Sequence, residues 1–438
     1  MLNVDNEQNI LTMNARGWIY LRRNSSKSKK IADSKIKTKK ALMKADVPVP
    51  KLVGLFKSTE EVDNFAWEKI ENSFVVKPVS GYGGAGVILV RKRGKYAGEW
   101  FLMDGSRVNI SDLRYHCYDI LQGKYSFHSF PDQVLVEERI KIFGRFLRFT
   151  KSGTPDIRVI VFNNIPVMAM MRVPTEESRG RSNLHQGAYG LGIDMATGIT
   201  TYGVLKDKPI TRIYDLKRKK RVKVNGIRIP MWEQILRTAV RAQQAVPGLG
   251  YMGVDIVLDK DKGPMVLEIN ARPGLSIQVA NRAGLRERLN RVNGINIRNP
   301  EHSINIARSL FGGSFVDKVN KKGEVKFLSL LEVVKIRRAD KKKGEILAKI
   351  DTGALRSSID EKLARELGLL EKDNVLYYRK YRSSLGKGHR RPVIGLVIWL
   401  KGEKIITSAN VTDRSHLRSK LLIGRRDLKG FAIRAEFE

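Results

Sequence analysis

Met252-Gly-Val-Asp-Ile-Val-Leu258 and Pro264-Met-Val-Leu-Glu-Ile-Asn270, joined by Asp259-Lys-Asp-Lys-Gly263, are two apolar runs around a short polar connector. That pattern predicts a β-hairpin. With the turn centred on Asp261, Asp255 and Glu268 stand six and seven positions from the tip, which places them nearly opposite each other. Cross-strand partners lie about 5 Å apart at Cβ, and Asn270, two residues further on, shares their face. Two carboxylates and an amide converging among apolar neighbours form a hard-oxygen site suited to Mg²⁺ bridging phosphates, and without a cation the acids repel. An exposed charged hairpin is the alternative, and Lys260 and Lys262 fit it. Asp255 and Glu268 do not, because Val254, Ile256, Val266, Leu267 and Ile269 flank them and an unpaired buried acid is costly.

Upstream lies Lys77-Pro-Val-Ser-Gly-Tyr-Gly-Gly-Ala-Gly86, with glycines at 81, 83, 84 and 86. Gly81, Gly83, Gly84 and Gly86 let backbone N–H groups approach a phosphate closely. The spacing Gly81-x-Gly83-x-x-Gly86 matches the dinucleotide fingerprint, but that motif opens a helix and here the β run Val87-Ile-Leu-Val90 follows. Walker and kinase readings fail too, since neither GKS/GKT nor HRD nor DFG occurs. What remains is a strand-loop-strand flap over a nucleotide triphosphate, with Lys77 before the loop, or else an ordinary glycine-rich hairpin.

Other strands are expected at Phe74–Val76, Val134–Val136, Ile157–Phe162 and Ile165–Met171. Helices are expected over residues 35–45, 58–70, whose Ser58-x-x-Glu61 fits a capping box, and 231–246, between Pro230 and Pro247-Gly248. Residues 1–310 read as one domain with a short basic N-terminal segment, 311–326 as a linker and 327–438 as a small, mostly β unit with one helix at Ser358–Leu367.

Of the 438 residues, 82 are Lys or Arg and 45 Asp or Glu, a formal net charge of +37. Such a charge points to nucleic acid, an anionic surface or acidic substrates. With 42% hydrophobic residues the chain can build cores, which excludes collagen-like, coiled-coil and wholly disordered classes. The single cysteine, Cys117, excludes an intramolecular disulfide and a paired-CxxC zinc module. No secretory pattern or membrane-length apolar run is present, so a cytoplasmic protein without a membrane span is expected.

The ordered set Lys35, Lys77 with its glycine loop, Val136-Glu-Glu-Arg-Ile140, Asp156-Ile-Arg158, Gly180-Arg-Ser-Asn-Leu-His-Gln-Gly187 and Glu268-Ile-Asn-Ala-Arg-Pro-Gly274 resembles ATP-grasp carboxylate-amine ligases. The match is to RimK-type glutamate ligases, in the alpha-L-glutamate ligase-like branch, over about residues 10–300. The resemblance implies an α+β ATP-grasp fold, ATP with magnesium or manganese, and an acyl-phosphate route to an amide bond. It makes Lys35 and Lys77 the ATP-phosphate lysines and puts Glu137 and Glu138 in the adenine hinge. Asp156 becomes the ribose contact, Arg181 and Asn183 face the γ-phosphate and acyl-phosphate, and Asp255, Glu268 and Asn270 bind the metal. Arg158 and Arg272 are anchors for a substrate carboxylate or phosphate. His185, a lone loop histidine, is more in keeping with a hydrogen-bonding role than with a base. About 34 residues precede Lys35, fewer than the N-terminal α/β domain of typical RimK ligases, so the acceptor does not carry over.

At the C-terminus, Asp351-Thr-Gly-Ala354 follows a β run, and Leu421-Leu-Ile-Gly424 comes later. This resembles a retropepsin-like aspartic peptidase, in the family labelled ATP-dependent zinc protease. The zinc label finds no support, since there is no HExxH and His389 and His416 are isolated. Aspartic hydrolysis needs two carboxylates sharing a proton, so Asp351 would meet its mate in a homodimer, with Asp413 and Asp427 weaker candidates for the second acid. The alternative is an Asp that only shapes a turn.

The reading is therefore an ATP- and Mg²⁺-dependent ligase that adds glutamate or a similar amino acid to an amine, peptide or protein acceptor, fused to a peptidase that trims the product. The rival is a basic RNA- or ribosome-binding protein on an ATP-grasp scaffold, for which Lys217-Arg-Lys-Lys-Arg221 speaks. An acidic peptide or a ribosomal surface is the partner the charge would suit.

Overall fold

In the computed structural model a helical stretch ending in Lys35–Lys44 precedes six short strands: β1 (Leu52–Phe56), β2 (Phe74–Pro78), β3 (Ile88–Arg93), β4 (Glu99–Leu102), β5 (Arg107–Asn109) and β6 (Val134–Glu138). The structure describes residues 9–433 other than 72, 81–84, 127–128, 152, 313–325, 341, 372, 383–387 and 429–430. The six strands make one antiparallel sheet in the order β1-β6-β2-β3-β4-β5. The helix Ile110–Leu121, closed by a capping box between Asn109 and Asp112, covers it. Phe56, Trp67, Phe74, Trp100, Leu113 and Cys117 form the core between them. Burial pushes the Cys117 thiol up to about 12, which leaves it unreactive.

The expected helix at 58–70 is shorter than its pattern. It runs Thr59–Asp63 with Ser58 accepting from the Glu61 N–H at 3.3 Å, and a separate 3₁₀ turn follows at Trp67–Lys69. Phe65 and Trp67 pack on Phe56 with ring centroids 4.9 and 5.8 Å away, a core contact that a continuous helix would not make.

The second sheet holds β7 (Asp156–Phe162), β8 (Ile165–Val173), β9 (Tyr189–Ile193), β10 (Thr200–Leu205) and β11 (Lys208–Ile210). A separate ribbon, β12 (Arg212–Asp215) and β13 (Lys220–Lys223), comes next, and then β14 (Tyr251–Asp259) and β15 (Gly263–Asn270) rejoin the sheet. Its order is β11-β10-β9-β8-β7-β14-β15. The helix Trp232–Gln244 buries Trp232, Ile235, Leu236, Ala239 and Val240, one stripe at helical spacing. The helix Pro300–Phe311 starts at a capping Asn299 and has Pro300 in its first turn, where the missing N–H costs nothing.

The C-terminal part is a β-barrel. The strands of this part are β16 (Lys326–Leu328), β17 (Leu331–Arg337), β18 (Lys343–Asp351), β19 (Ser358–Asp360), β20 (Val375–Arg382), β21 (Gly388–Leu400), β22 (Glu403–Thr412), β23 (Leu421–Gly424) and β24 (Phe431–Ile433), of which β16 and β24 pair with each other in a separate ribbon. Pairing of β17 with β21 closes the sheet β17-β18-β23-β19-β22-β21 on itself, and β20 lies outside it on β21. The barrel has its own core, including Val334, Ile336, Ile350, Ile398 and Ile423. The helix expected from Ser358 starts only at Glu361, because Ser358–Asp360 is a strand, and Gly368 follows it with φ +67°. Of the expected linker, residues 313–325 lie outside the described residues.

Candidate functional site

The hairpin β14–β15 brings Asp255 directly opposite Glu268, and Gly253 opposite Asn270. The alignment depends on a bulge: Ile256 pairs with Val266, so Leu267 is an extra residue in β15. Asn270 donates from Nδ2 to Asp255 Oδ2 at 3.3 Å, so all three polar groups share a face.

That face continues across the sheet. Arg158 on β7 lies opposite Asp255, and its Nε and Nη2 donate to the two carboxylate oxygens at 2.7 and 2.6 Å. Asp156, two residues earlier, lies opposite Arg172 on β8, whose Nε and Nη2 donate to it at 2.6 and 2.5 Å. Arg172 also reaches Asp255 at 2.9 Å. The result is a buried row of two carboxylates and two guanidiniums, where losing one member strands the others. Burial alone would raise the Asp255 carboxyl, but Arg158 and Arg172 hold it below the usual range. Asp156 is raised by burial and by Asp255, against Arg172.

Glu268 is different. It has no hydrogen-bond or ion-pair partner among the described residues. Its side chain is exposed by area, yet the cleft walls strip its hydration, and that burial, followed by the Asp255 charge, raises its carboxyl. It lines a cavity of about 280 Å³ between the two sheets, as do Lys35, Ser80, Asn270 and Arg272.

Lys35 is the first residue of the helix Lys35–Lys44, capped by Ser34. A cation there opposes the helix dipole, so the position suits an anion arriving from the cleft. Burial, then Lys77, lowers the Lys35 ammonium. One turn on, buried Lys39 donates to Pro50 O and pairs with Glu137, while Lys77 pairs with the other Glu137 oxygen at 2.5 Å. Burial would raise the Glu137 carboxyl, but Lys77 and Lys39 hold it down.

The glycine flap is anchored at both ends. Asp132 accepts from the Ser80 N–H with both oxygens, at 3.0 and 2.8 Å. At the far end Gly86 has φ +71°, and a Cβ there would sit 2.6 Å from the Tyr125 ring. His116 Nε2 bonds Gly86 O at 2.9 Å. Gly81, Gly83 and Gly84 lie outside the described residues.

Several expected residues sit otherwise than expected. Asp156 is buried with both oxygens on Arg172, so in this structure it does not face the cleft as a ribose contact would. Arg158 spends two donors on Asp255 rather than standing free as an anchor. The Glu137 carboxylate holds lysines, and Glu138 pairs with Lys262. Arg272 lines the cavity and donates to Asp33 at 2.8 Å. Arg181 and Asn183 do not line that cavity. Asn183 caps a turn by accepting from the His185 N–H at 3.1 Å, and His185 lies 3.5 Å from Ser276 Oγ.

Residues absent from the sequence reading also matter. Arg172 is the one charged residue in the apolar run of β8, a signal that was present. Asn24 clamps the hairpin base, donating to Tyr251 O and Ala271 O and accepting from Tyr251 N–H. Nothing local marks it.

In the barrel, Asp351 ends β18 opposite Gly424, and its Oδ1 accepts from the Gly353 and Ala354 N–H groups at 2.9 and 3.0 Å. Asp427 is no second acid: it is buried and accepts from Ser357, Thr407 and Arg426. Asp413 is taken up by its own turn, accepting from the Ser415 N–H. Among the described residues no three His, Cys, Asp or Glu side chains gather as a metal site.

A carboxylate-bearing hairpin that faces lysines across a cleft between two sheets fits an ATP-grasp protein. Residues 16–294 match the family described as sugar-transfer associated ATP-grasp, and the chain belongs to that family. ATP-grasp enzymes use ATP and Mg²⁺. The chain is 25% identical over 244 residues to a "Probable alpha-L-glutamate ligase" of Thioalkalivibrio sulfidiphilus, covering 56% of this chain and 57% of that one. It is 27% identical over 254 residues to a protein of the same name from Mannheimia succiniciproducens, covering 58% and 60%. The chain thus spans less than two thirds of either relative. Among solved structures it is similar to the D-alanine–D-alanine ligase of Bacillus anthracis complexed with ATP, at 16% identity over 64% of this chain and 67% of that one, with a TM-score of 0.33. Among the described residues no helix is long and apolar enough to cross a membrane.

Proposed function

We propose that the protein joins a carboxylate to an amine at the expense of ATP, adding glutamate or a similar amino acid to a small-molecule, peptide or protein acceptor. The observation that carries this is the pair Asp255 and Glu268, one carboxylate held by two arginines and the other unpartnered at the cleft. The donor set fits magnesium or manganese. Asp255 Oδ1 has one donor and a second acceptor position, Glu268 is uncommitted, and Asn270 supplies an amide oxygen when its side chain turns. Bound there, the ion would neutralise charge on the phosphates.

Lys35 and Lys77 take the ATP phosphates under the flap that starts at Ser80 and ends at Gly86. The donor carboxylate oxygen attacks the γ-phosphorus, the bond to the bridging oxygen breaks, and ADP leaves. The acceptor amine then attacks the acyl carbon, inorganic phosphate leaves with the acyl-oxygen bond, and the nitrogen loses a proton. Positioning and charge stabilisation suffice, and no side-chain nucleophile is needed. On this reading Arg272, which lines the cavity, orients the acyl group, and Arg181 and Asn183 are assigned to the acyl-phosphate by their motif alone. The test is mass spectrometry of a cell extract incubated with protein, ATP and Mg²⁺. Mass added to an acceptor with ADP release, both absent in Glu268→Gln, supports the reading. No added mass and no ADP sinks it.

The barrel favours a second activity, aspartic hydrolysis in a homodimer. Asp351 is partly accessible on an exposed turn, and the apolar Leu331, Val333 and Leu347 stay exposed on the outside of β17 and β18. Val333 and Leu347 are direct cross-strand partners, so they offer one apolar surface for a second copy. On this reading residues 1–310 ligate, 311–326 link and 327–438 hydrolyse, in a cytoplasmic protein, with Phe311 ending the preceding helix and Lys326 opening β16.

A further inference from the structure

One element that the ligase chemistry does not use is densely basic, although most of the chain's +37 lies elsewhere. The segment Arg212–Lys223, which forms the ribbon β12–β13, has seven cations in twelve residues and one acid, Asp215. Asp215 is buried and is taken by Arg148, whose Nε donates at 2.9 Å, with Arg218 at 4.0 Å. Among the described residues no acid pairs with the cations of the outer face beyond the Asp215–Arg218 contact. Arg212 pairs with Lys223 and Tyr214 with Arg221, all four exposed. Like charges directly opposite each other destabilise a ribbon, so an external anion is the missing partner.

Two cavities meet at the ribbon's base. One, of about 480 Å³, is lined by Arg145, Arg148, Arg218, Lys223 and Arg228 and by no carboxylate. The other, of about 640 Å³, is walled by Phe149, Tyr189 and Tyr214. Its two acids are already matched, Glu176 by Lys151 at 2.6 Å and Glu177 by Lys206 at 2.5 Å. Phe149 lines both cavities, and neither shares a residue with the cleft between Lys35 and Glu268. A cationic cavity beside an aromatic one matches a chain that alternates phosphates with flat rings. An acidic polypeptide would fill the first and leave the second without an occupant.

We propose that this ribbon binds single-stranded nucleic acid, with phosphates against Arg218, Lys223 and Arg228 and a base against the exposed ring of Tyr214. Full-length protein is titrated into a fluorescein-labelled 15-nucleotide oligouridylate at several salt concentrations, and anisotropy gives Kd. In Arg221→Glu/Lys223→Glu, Kd rises about tenfold or more and the salt slope drops by about two. Tyr214→Ala weakens binding about fivefold or more and Tyr214→Phe restores it. ATP turnover stays at the parent value in all three, since these residues lie outside the ATP cleft, and the charge variant melts no lower than the parent, since Lys223→Glu turns the like-charged pair with Arg212 into an opposite-charged one. The proposal is overturned if the parent does not bind at 50 mM salt, or if the charge variant keeps the parent's Kd and slope. It is equally overturned if Tyr214→Ala binds like the parent, or if polyglutamate of equal charge competes as well as unlabelled oligouridylate, which would make the surface one for acidic polypeptides.

Discussion

Asp255 faces Glu268 because β15 takes two steps, Leu267 and Glu268, where β14 takes one from Ile256 to Asp255. In a regular ladder Asp255 would meet Leu267, and Glu268 would turn to the other side of the sheet. The bulge also divides the labour of the two acids. Asp255 is locked into the arginine row, while Glu268 keeps its charge for the cleft.

That division predicts opposite outcomes for two substitutions. Asp255→Ala leaves Arg158 and Arg172 buried without their shared partner and should cost about 3 kcal/mol or more. Glu268 carries a raised carboxyl, so the folded state binds its proton more tightly than the unfolded one and the ionised group weakens the fold at neutral pH. Glu268→Gln should therefore melt at or above the parent temperature while losing ADP release. Calorimetry beside an ADP assay checks this; a Glu268→Gln that melts well below the parent would show a structural role instead.

Gly86 sits at φ +71°, with the Tyr125 ring where a Cβ would go. Gly86→Ala should cost about 1–2 kcal/mol from the left-handed backbone alone and should displace the flap. The KM for ATP is expected to rise several-fold, with the acceptor KM unchanged. A parent-like KM for ATP would mean that the flap end does not cover the nucleotide.

The sequence showed the hairpin because its apolar runs are local, and it showed Asp255, Glu268 and Asn270 together, although counting from the tip cannot see a bulge. The extra residue, Leu267, is exposed, so nothing in the apolar pattern marks it as the bulge. The motif resemblance makes Glu137 and Asp156 nucleotide contacts, yet Lys39, one helical turn beyond Lys35, and Arg172, on a neighbouring strand, take their oxygens. Those partners are distant in sequence, so no local pattern pairs them. Closure of the barrel by β17 on β21 is likewise non-local.

His302 joins the helix Pro300–Phe311 to the barrel. Its Nε2 lies 3.0 and 2.9 Å from the carbonyls of Val375 and Leu376, and its Nδ1 lies 3.3 Å from the Arg298 N–H. Carbonyls only accept and the amide only donates, so the ring is the neutral tautomer protonated at Nε2. Burial, followed by the Arg298 charge, holds it below its ordinary value. Below about pH 6.5 the unfolded chain takes up a proton that the folded ring resists. Stability at this group is thus present above that pH and lost as pH falls, by at most about 1.4 kcal/mol per unit. In His302→Gln the melting temperature should fall less steeply from pH 7 to pH 5 than in the parent. His116, also lowered by burial, stays in both proteins and gives the common slope. Equal slopes would remove His302 from the acid response.

Asp351 and Asp427 separate the hydrolytic reading from a purely structural one. Asp427 accepts from Ser357 at 2.5 Å, Thr407 at 2.7 Å and Arg426 at 3.1 Å. Asp427→Ala should destabilise the barrel by about 2–4 kcal/mol by orphaning those buried donors. Asp351→Asn keeps an oxygen for the Gly353 and Ala354 N–H groups, so the turn and the melting temperature should hold. It removes the acid that two copies would share around one proton, so peptide cleavage should vanish. Because the paired acid comes from a second copy, cleavage by the parent should fall faster than linearly on dilution, in step with the dimer fraction measured by sedimentation. Cleavage that survives Asp351→Asn, or that scales linearly with protein while the mass stays monomeric, would leave the aspartate as a turn former.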